Sequence, residues 1–202
     1  YKNLAKEIAA QQGKSITFMP KFNEREGSSC HIHMSLRNDD GTLAFWDADK
    51  RSATYEHFIA GVLATLRDFA VLYAPNINSY KRFSDASFAP TTVGWGHDNR
   101  TCAVRLVGSG PAARLENRVP GGDANPYLAL AAMLGGGLYG IENKLELEPE
   151  TCGNAYASGA ATIPQTLAEA RDAFTQSAVA RTILGDDVVD HYTTMATVEV
   201  NA

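Results

Sequence analysis

Apolar and polar positions along the chain fall into segments of two different periods. Near the start, Leu4 and Ile8 stand four apart and Gly13 follows, which predicts a helix stopped by that glycine. Ser15 to Met19 reads as a short strand closed by Pro20, and Lys21 to Ser29 as a polar loop. From Cys30 to Arg37 the period is two. Cys30, Ile32, Met34 and Leu36 lie on one side, and His31, His33, Ser35 and Arg37 on the other. Tyr55, Phe58, Ile59, Val62, Leu63, Leu66, Phe69 and Tyr73 then follow helical spacing up to Pro75, which predicts one long amphipathic helix belonging to the core.

Further along, Arg100 to Val107 and Arg114 to Val119 read as two strands joined by the turn residues Gly108-Ser109-Gly110-Pro111, with Arg114, Glu116 and Arg118 pointing the same way. Asn125-Pro126 is a helix-start signal, because the asparagine side chain can cap and proline fits the first turn; the helix should reach about Asn143. Another is expected from Pro164 to Ser177 with Leu167, Ala170 and Phe174 inward, and a short one from Asp186 to Met195. Strands before helices indicate an α+β fold, a mainly antiparallel sheet backed by helices.

Composition narrows the function classes. With 202 residues, 45% of them hydrophobic, one sizeable core is expected rather than disorder. A formal charge of -5, with arginines scattered rather than gathered, argues against nucleic acid as a partner. The longest apolar stretch, Tyr127 to Tyr139, is too short to span a bilayer, so no membrane anchor is expected. Cys30, Cys102 and Cys152, odd in number and widely spaced, suit a reducing cytoplasm better than a disulfide framework or thiolate zinc site. The first residue is not Met and the chain closes on Glu199-Val200-Asn201-Ala202, so it is expected to be cut from a longer protein at both ends.

Once the apolar framework is set aside, His31, His33, Ser35, Arg82, Arg100, Arg105, Glu116 and Arg118 remain, all expected on strands or their edges, an inventory for handling anions. Guanidinium forks bind phosphates and carboxylates bidentately and spread the charge of a transferring phosphoryl group. His31 and Glu116 are plausible ligands for a divalent metal, although two ligands are too few alone. Each signal has a plainer reading. Alternating histidines on a strand are more often a solvated face, and Arg114, Glu116 and Arg118 could equally be a surface charge ladder.

The order of the motifs changes that balance. Phe18-Met19-Pro20-Lys21, Gly27-Ser28-Ser29-Cys30-His31-Ile32-His33-Met34-Ser35-Leu36, Asn78-Ser79-Tyr80-Lys81-Arg82, Asp98-Asn99-Arg100-Thr101 with Arg105, and Glu116-Asn117-Arg118-Val119-Pro120 followed by Asp123-Ala124-Asn125-Pro126-Tyr127-Leu128 occur in sequence. In these five motifs the chain resembles the glutamine synthetase family, type I-like, over essentially its whole length. The resemblance implies the C-terminal portion of the catalytic domain across residues 1–202, with an N-terminal β-grasp domain, the first half of the catalytic domain and a final helix lying outside the chain. By the same resemblance His31 and Glu116 ligate Mg²⁺ or Mn²⁺, while His33, Ser35, Arg100 and Arg105 contact ATP. Gly27, Arg82 and Arg118 hold glutamate. Arg100 would act catalytically, stabilising the phosphoryl group as it moves onto the glutamate side chain to give γ-glutamyl phosphate, which an amine then attacks.

The sequence departs from the family pattern at three places. Glu26-Gly27-Ser28-Ser29 replaces the usual Asn-Gly-Ser-Gly, Pro111-Ala112-Ala113 lacks the usual hairpin lysine, and Phe88 stands where ammonia-using members carry a glutamate. Phe88 points to the γ-glutamyl-amine ligase branch, with an ordinary ammonia-using synthetase or a catalytically inactive scaffold as alternatives. Gly153-Asn154-Ala155-Tyr156 is faintly similar to the segment carrying a modifiable tyrosine in some bacterial members, without its acidic context. The resemblance also implies a ring-like homo-oligomer for the intact protein and no activity for this chain by itself.

Overall fold

The computed structural model describes residues 1–85 and 87–202. It is an α+β fold in which a small sheet lies against helices. The sheet contains β1 (Ile32–Met34), β4 (Trp95–His97), β5 (Val104–Val107) and β6 (Arg114–Asn117), in the order β1-β6-β5-β4. Pairings β1·β6 and β5·β6 are antiparallel and β4·β5 is parallel. A separate hairpin pairs β2 (Trp46–Asp47) with β3 (Lys50–Arg51).

The register assigns each residue a face. Ile32, Asn117, Val104 and Trp95 align across the four strands, as do Met34, Leu115 and Leu106, and this face meets the helices. Its partners are α2 (Ala53–Thr65) and α5 (Pro126–Glu142), whose Tyr55, Phe58, Ile59, Val62 and Met133 complete one core cluster. A second cluster joins Leu66, Phe69 and α3 (Ala70–Tyr73) to α6 (Leu167–Gln176), α7 (Ala178–Leu184) and α8 (Asp186–Asn201) through Phe174, Ala180, Val189 and Ala196.

The caps are those the sequence offers. Ser52 Oγ accepts from Tyr55 N at 3.1 Å, Asn125 Oδ1 from Tyr127 N at 3.0 Å beside Pro126, and Thr166 Oγ1 from Glu169 N at 3.1 Å. Each satisfies a donor that the first helical turn leaves open.

Several expected boundaries move. Residues 15–19 form no strand; they are mostly exposed, and alternation alone supplies no neighbour with which to exchange ladder hydrogen bonds. The strand expected over 30–37 shrinks to β1, flanked by single bridges Ser29↔Gly121 and Arg37↔Leu43. The strand expected from Arg100 begins only at Val104, because Asn99 Oδ1 accepts from Thr101 N and Oγ1 and closes a turn there. The single helix expected from Tyr55 to Tyr73 breaks after Thr65. Thr65 Oγ1 bonds back to Gly61 O at 2.9 Å, and Asp68 is drawn off the helical path to accept from Ser177 Oγ at 2.6 Å. Helix α8 continues past Met195 to Asn201. The short strands β2, β3 and β4 and the helices α4 (Ile77–Tyr80) and α7 were not expected; β4 is a three-residue strand between glycine and turn residues, stabilised by its parallel neighbour.

The crossing of α2 over α5 depends on glycine. A Cβ at Gly61 would overlap the Gly136 carbonyl oxygen and lie 2.6 Å from Gly140 Cα, and one at Gly140 would overlap the His57 carbonyl. These are backbone atoms that cannot rotate aside. Gly140→Ala is therefore expected to destabilise the fold by about 3 kcal/mol, the upper end for overpacking. Thermal unfolding of the intact protein checks this, and an unchanged midpoint would show that the two helices can separate freely.

Candidate active site

The face of the sheet turned away from the helices carries chemistry. Its central row runs His33, Glu116, Arg105 and Gly96 across β1, β6, β5 and β4. Glu116 is the hub, with its side chain only 4% exposed. Its Oε1 accepts from Arg118 Nη1 at 3.0 Å and lies 2.9 Å from His31 Nδ1; its Oε2 accepts from Arg105 Nη1 at 3.1 Å. His33 Nε2 stands 3.6 Å from the same carboxylate.

Electrostatics follow from these contacts. Burial alone would raise the Glu116 pKa, but the bonds and charges of Arg105, Arg118 and His31 outweigh it and hold the carboxyl below its ordinary value. His31 is pulled down to about 4, first by burial and then by Arg118, against the opposing pull of Glu116. It is therefore neutral near pH 7, and its contact with Glu116 is a hydrogen bond from Nδ1–H rather than an ion pair. That tautomer leaves the Nε2 lone pair free, as a metal-binding imidazole requires.

Beside this hub opens a cleft of about 300 Å³ lined by Lys21, Gly27, His31, Arg82, Phe88 and Arg118, among others. Arg82 and Arg118 are 4% exposed, and the Nε of each is buried without a hydrogen-bond partner. Arg82 Nη2 donates to the Val119 carbonyl, and a Cβ at Gly27 would lie 2.8 Å from Arg82 Cγ, so only glycine lets the loop approach this side chain. Burial pulls the Arg82 pKa down to about 10, with Asp123 opposing and Arg118 reinforcing the shift, so it keeps its charge at neutral pH. Two guanidinium groups on the lining of one cleft give it the charge and planar shape that suit a carboxylate.

The cleft is braced from behind. Lys21 N donates to Asn78 Oδ1 at 2.9 Å and Asn78 Nδ2 to Lys21 O at 3.0 Å, tying the 20–29 loop to α4. Asp123 Oδ2 accepts from Ser79 Oγ at 2.6 Å and Asn76 Nδ2 at 2.7 Å, which fixes α4 and the Arg82 that follows it.

Of the residues expected from sequence, Gly27, His31, His33, Arg82, Arg105, Glu116 and Arg118 come together. Ser35 lies just beyond β1 and Arg100 in the turn after β4, and both are exposed. Arg82 and Arg100 thus lie outside the sheet, contrary to the expectation that the whole set sits on strands or their edges. Three contributors were missed. Arg114 Nε donates to His33 Nδ1 at 3.2 Å and sets that ring's tautomer, a role its shared face with Glu116 could have signalled. Asp98 accepts from Arg105 Nη2 at 2.7 Å, and Asp123 braces α4. Only the fold reveals those two partnerships.

Among the described residues no group of three or more His, Cys, Asp or Glu could hold a metal ion. The donor types at His31 and Glu116 fit a divalent cation, and their number falls short of a complete shell. Nor, among the described residues, is any helix long and apolar enough to cross a membrane.

The chain that forms this carboxylate hub and arginine-lined cleft matches a family along its whole length: residues 1–202 fit the description glutamine synthetase, catalytic domain. The chain belongs to that family. It is 57% identical over 203 residues to the gamma-glutamylethanolamide synthetase GlnA4 of Streptomyces coelicolor, covering 100% of this chain and 44% of that protein. It is 46% identical over 207 residues to the glutamate--isopropylamine ligase of a Pseudomonas species, covering 98% of this chain and 45% of the relative. The solved GmaS/ADP complex superposes with a TM-score of 0.88 at 32% identity, over 99% of this chain and 49% of that one. The chain thus spans about half the length of the curated relatives it matches.

Proposed function

We propose that the intact protein is an ATP-dependent ligase that joins the γ-carboxylate of glutamate to an organic amine by way of γ-glutamyl phosphate. The observation that carries this reading is the cleft itself: two buried arginines on its lining, a carboxylate hub alongside, and an aromatic ring, Phe88, on the wall. The amine ligases among its relatives support the same chemistry.

In this reading Gly27, Arg82 and Arg118 hold glutamate, and His33, Ser35, Arg100 and Arg105 face the nucleotide. Arg100, exposed in its turn and near the Asp98–Arg105 pair in sequence, is free to reach the phosphoryl group as charge moves between oxygens. His31 and Glu116 would hold Mg²⁺ or Mn²⁺, which when bound neutralises phosphate oxygens. Two ligands do not complete a site, so the remaining carboxylates belong to the rest of the protein and the chain alone is inactive. We extend the proposal to a ring-like homo-oligomer for the intact protein and to the cytoplasm, the latter supported by three unpaired cysteines.

Phe88 sets the acceptor. A carboxylate near the acceptor site attracts ammonium and helps remove its proton, and a phenyl ring does neither. The ring instead offers an apolar wall and a cation-π face to a carbon-bearing amine. The test is phosphate release from ATP and glutamate by the intact protein, with ammonium compared against monoamines, ethanolamine and polyamines at equal concentration. An organic amine is expected to be preferred by at least about tenfold, a difference of about 1.4 kcal/mol. Preference for ammonium, with glutamine as product, would return the protein to the ordinary synthetases.

A further inference from the structure

The successive carbonyls of Phe88 and Ala89 are both held, by residues from different parts of the chain. Phe88 adopts φ 57°, a left-handed conformation that disfavours a residue with a Cβ and persists only where neighbours fix it. One anchor comes from the cleft floor, where Arg118 Nη2 donates to the Phe88 carbonyl at 3.2 Å. The second comes from outside the cleft. Tyr156 donates its hydroxyl to the Ala89 carbonyl at 3.0 Å.

Tyr156 is itself rigidly mounted. It lies in a 3-10 turn (Ala155–Ala157) whose first residue is fully buried, and Asn154 Oδ1 caps its amide at 3.1 Å. Ala155 N donates to Thr101 Oγ1 at 2.9 Å, and Thr92 Oγ1 donates to Ala155 O at 3.1 Å. The backbone bonds from Val93 N to Ala161 O and from Ile163 N to Thr91 O join the two segments farther along, at 2.7 and 3.0 Å. A tyrosine ring alone would pack as well as phenylalanine here; the hydroxyl is what reaches the cleft wall.

We propose that Tyr156 is a positioning residue for the acceptor side of the cleft: through the Ala89 carbonyl it holds the turn that presents the Phe88 ring, and thereby sets selectivity between an organic amine and ammonium. This inference rests on the ligase reading above. Tyr156 touches no reacting atom and acts only through Phe88, so its effect requires that ring.

The experiment is a double-mutant cycle in the intact protein, with kcat and KM measured for ethanolamine and for ammonium in the unsubstituted enzyme, Tyr156→Phe, Phe88→Ala and the double variant. Tyr156→Phe keeps the ring and removes one hydrogen bond, so the ethanolamine kcat/KM is expected to fall about fivefold, chiefly through KM. The KM values for ATP and glutamate should stay in place. In the Phe88→Ala background the same deletion should change the ratio of ethanolamine to ammonium kcat/KM by less than about twofold, since coupled residues are non-additive. Ser87→Ala, which removes the acceptor of the Ala89 amide at 3.2 Å, probes the same turn independently and should move that ratio in the same direction. Additive effects in the cycle, a Ser87→Ala ratio that stays put, or an equal loss for both acceptors would each overturn the role assigned to Tyr156 alone. An unsubstituted enzyme that uses no organic amine would overturn the ligase reading, and this inference with it.

Discussion

Glu116→Gln in the intact protein is expected to lose glutamate-dependent ATP hydrolysis by about a thousandfold, equivalent to about 4 kcal/mol of transition-state stabilisation. The carboxylate is an acceptor shared by Arg105, Arg118 and His31, and by the proposed function it is also a metal ligand. Glutamine keeps the volume and one carbonyl acceptor but brings an amide N–H₂ toward guanidinium donors, and its neutral carbonyl is a poor substitute for a charged ligand. Glu116→Ala should be as inactive and less stable. It leaves two guanidinium groups beside a cavity with no counter-charge, at a cost of about 3–5 kcal/mol for breaking a buried pair. Comparing the two variants separates chemistry from folding: single-turnover phosphate release reads the first and thermal unfolding the second. A Glu116→Gln enzyme within tenfold of the parent at saturating Mg²⁺ would remove Glu116 from the ligand set.

The site was more legible in the sequence than the framework that holds it. Alternation along 30–37 put His31, His33 and Ser35 on one side of their strand, and along 114–119 it put Arg114, Glu116 and Arg118 on one side of theirs, because a strand's period of two fixes side-chain direction wherever the strand runs. It could not show that β1 and β6 pair with His33 opposite Glu116, since register is a relation between segments. Arg82 stood in the anion-handling inventory, but its assignment to glutamate came only through resemblance. Its place beside Gly27 depends on α4, a single helical turn fixed by Asp123 from 44 residues away in sequence, and nothing local marks it. The break after Thr65 was hidden for the opposite reason. Leu66 and Phe69 keep the apolar spacing of the preceding helix while the backbone bonds become irregular, Leu66 N to Leu63 O and Ala70 N to Arg67 O spanning three residues and Phe69 N to Thr65 O four, so periodicity persists where the regular helix does not.

Local pattern therefore identified groups by type and face, whereas tertiary hydrogen bonds decided which of them meet. Arg114 and Tyr156 illustrate the difference. Each reaches a neighbour of the cleft with a single donor, His33 Nδ1 in one case and the Ala89 carbonyl in the other, and neither belongs to the set that anion-binding chemistry selects from sequence.

Arg82→Ala should raise the glutamate KM by about a hundredfold, the loss of about 3 kcal/mol expected when a buried charge-assisted pair loses one partner. The side chain is 4% exposed, lines the cleft, and has its guanidinium 5.0 Å from the Phe83 ring centroid, so it is held in place beside the pocket. Alanine also strips the Val119 carbonyl of its donor and opens space against Gly27, so a fall in stability will accompany the kinetic change. Arg82→Lys isolates the recognition step. It retains the charge on a long stem but replaces a planar fork with a point donor, and the glutamate KM should still rise at least about tenfold. The ATP KM should remain near its original value in both variants, because His33 and Arg105, which the proposed function assigns to the nucleotide, lie across the Glu116 hub from this pocket. Should the ATP KM rise together with that for glutamate, Arg82 would be bracing the whole site; should the glutamate KM stay within about threefold in both variants, the cleft is not where glutamate binds.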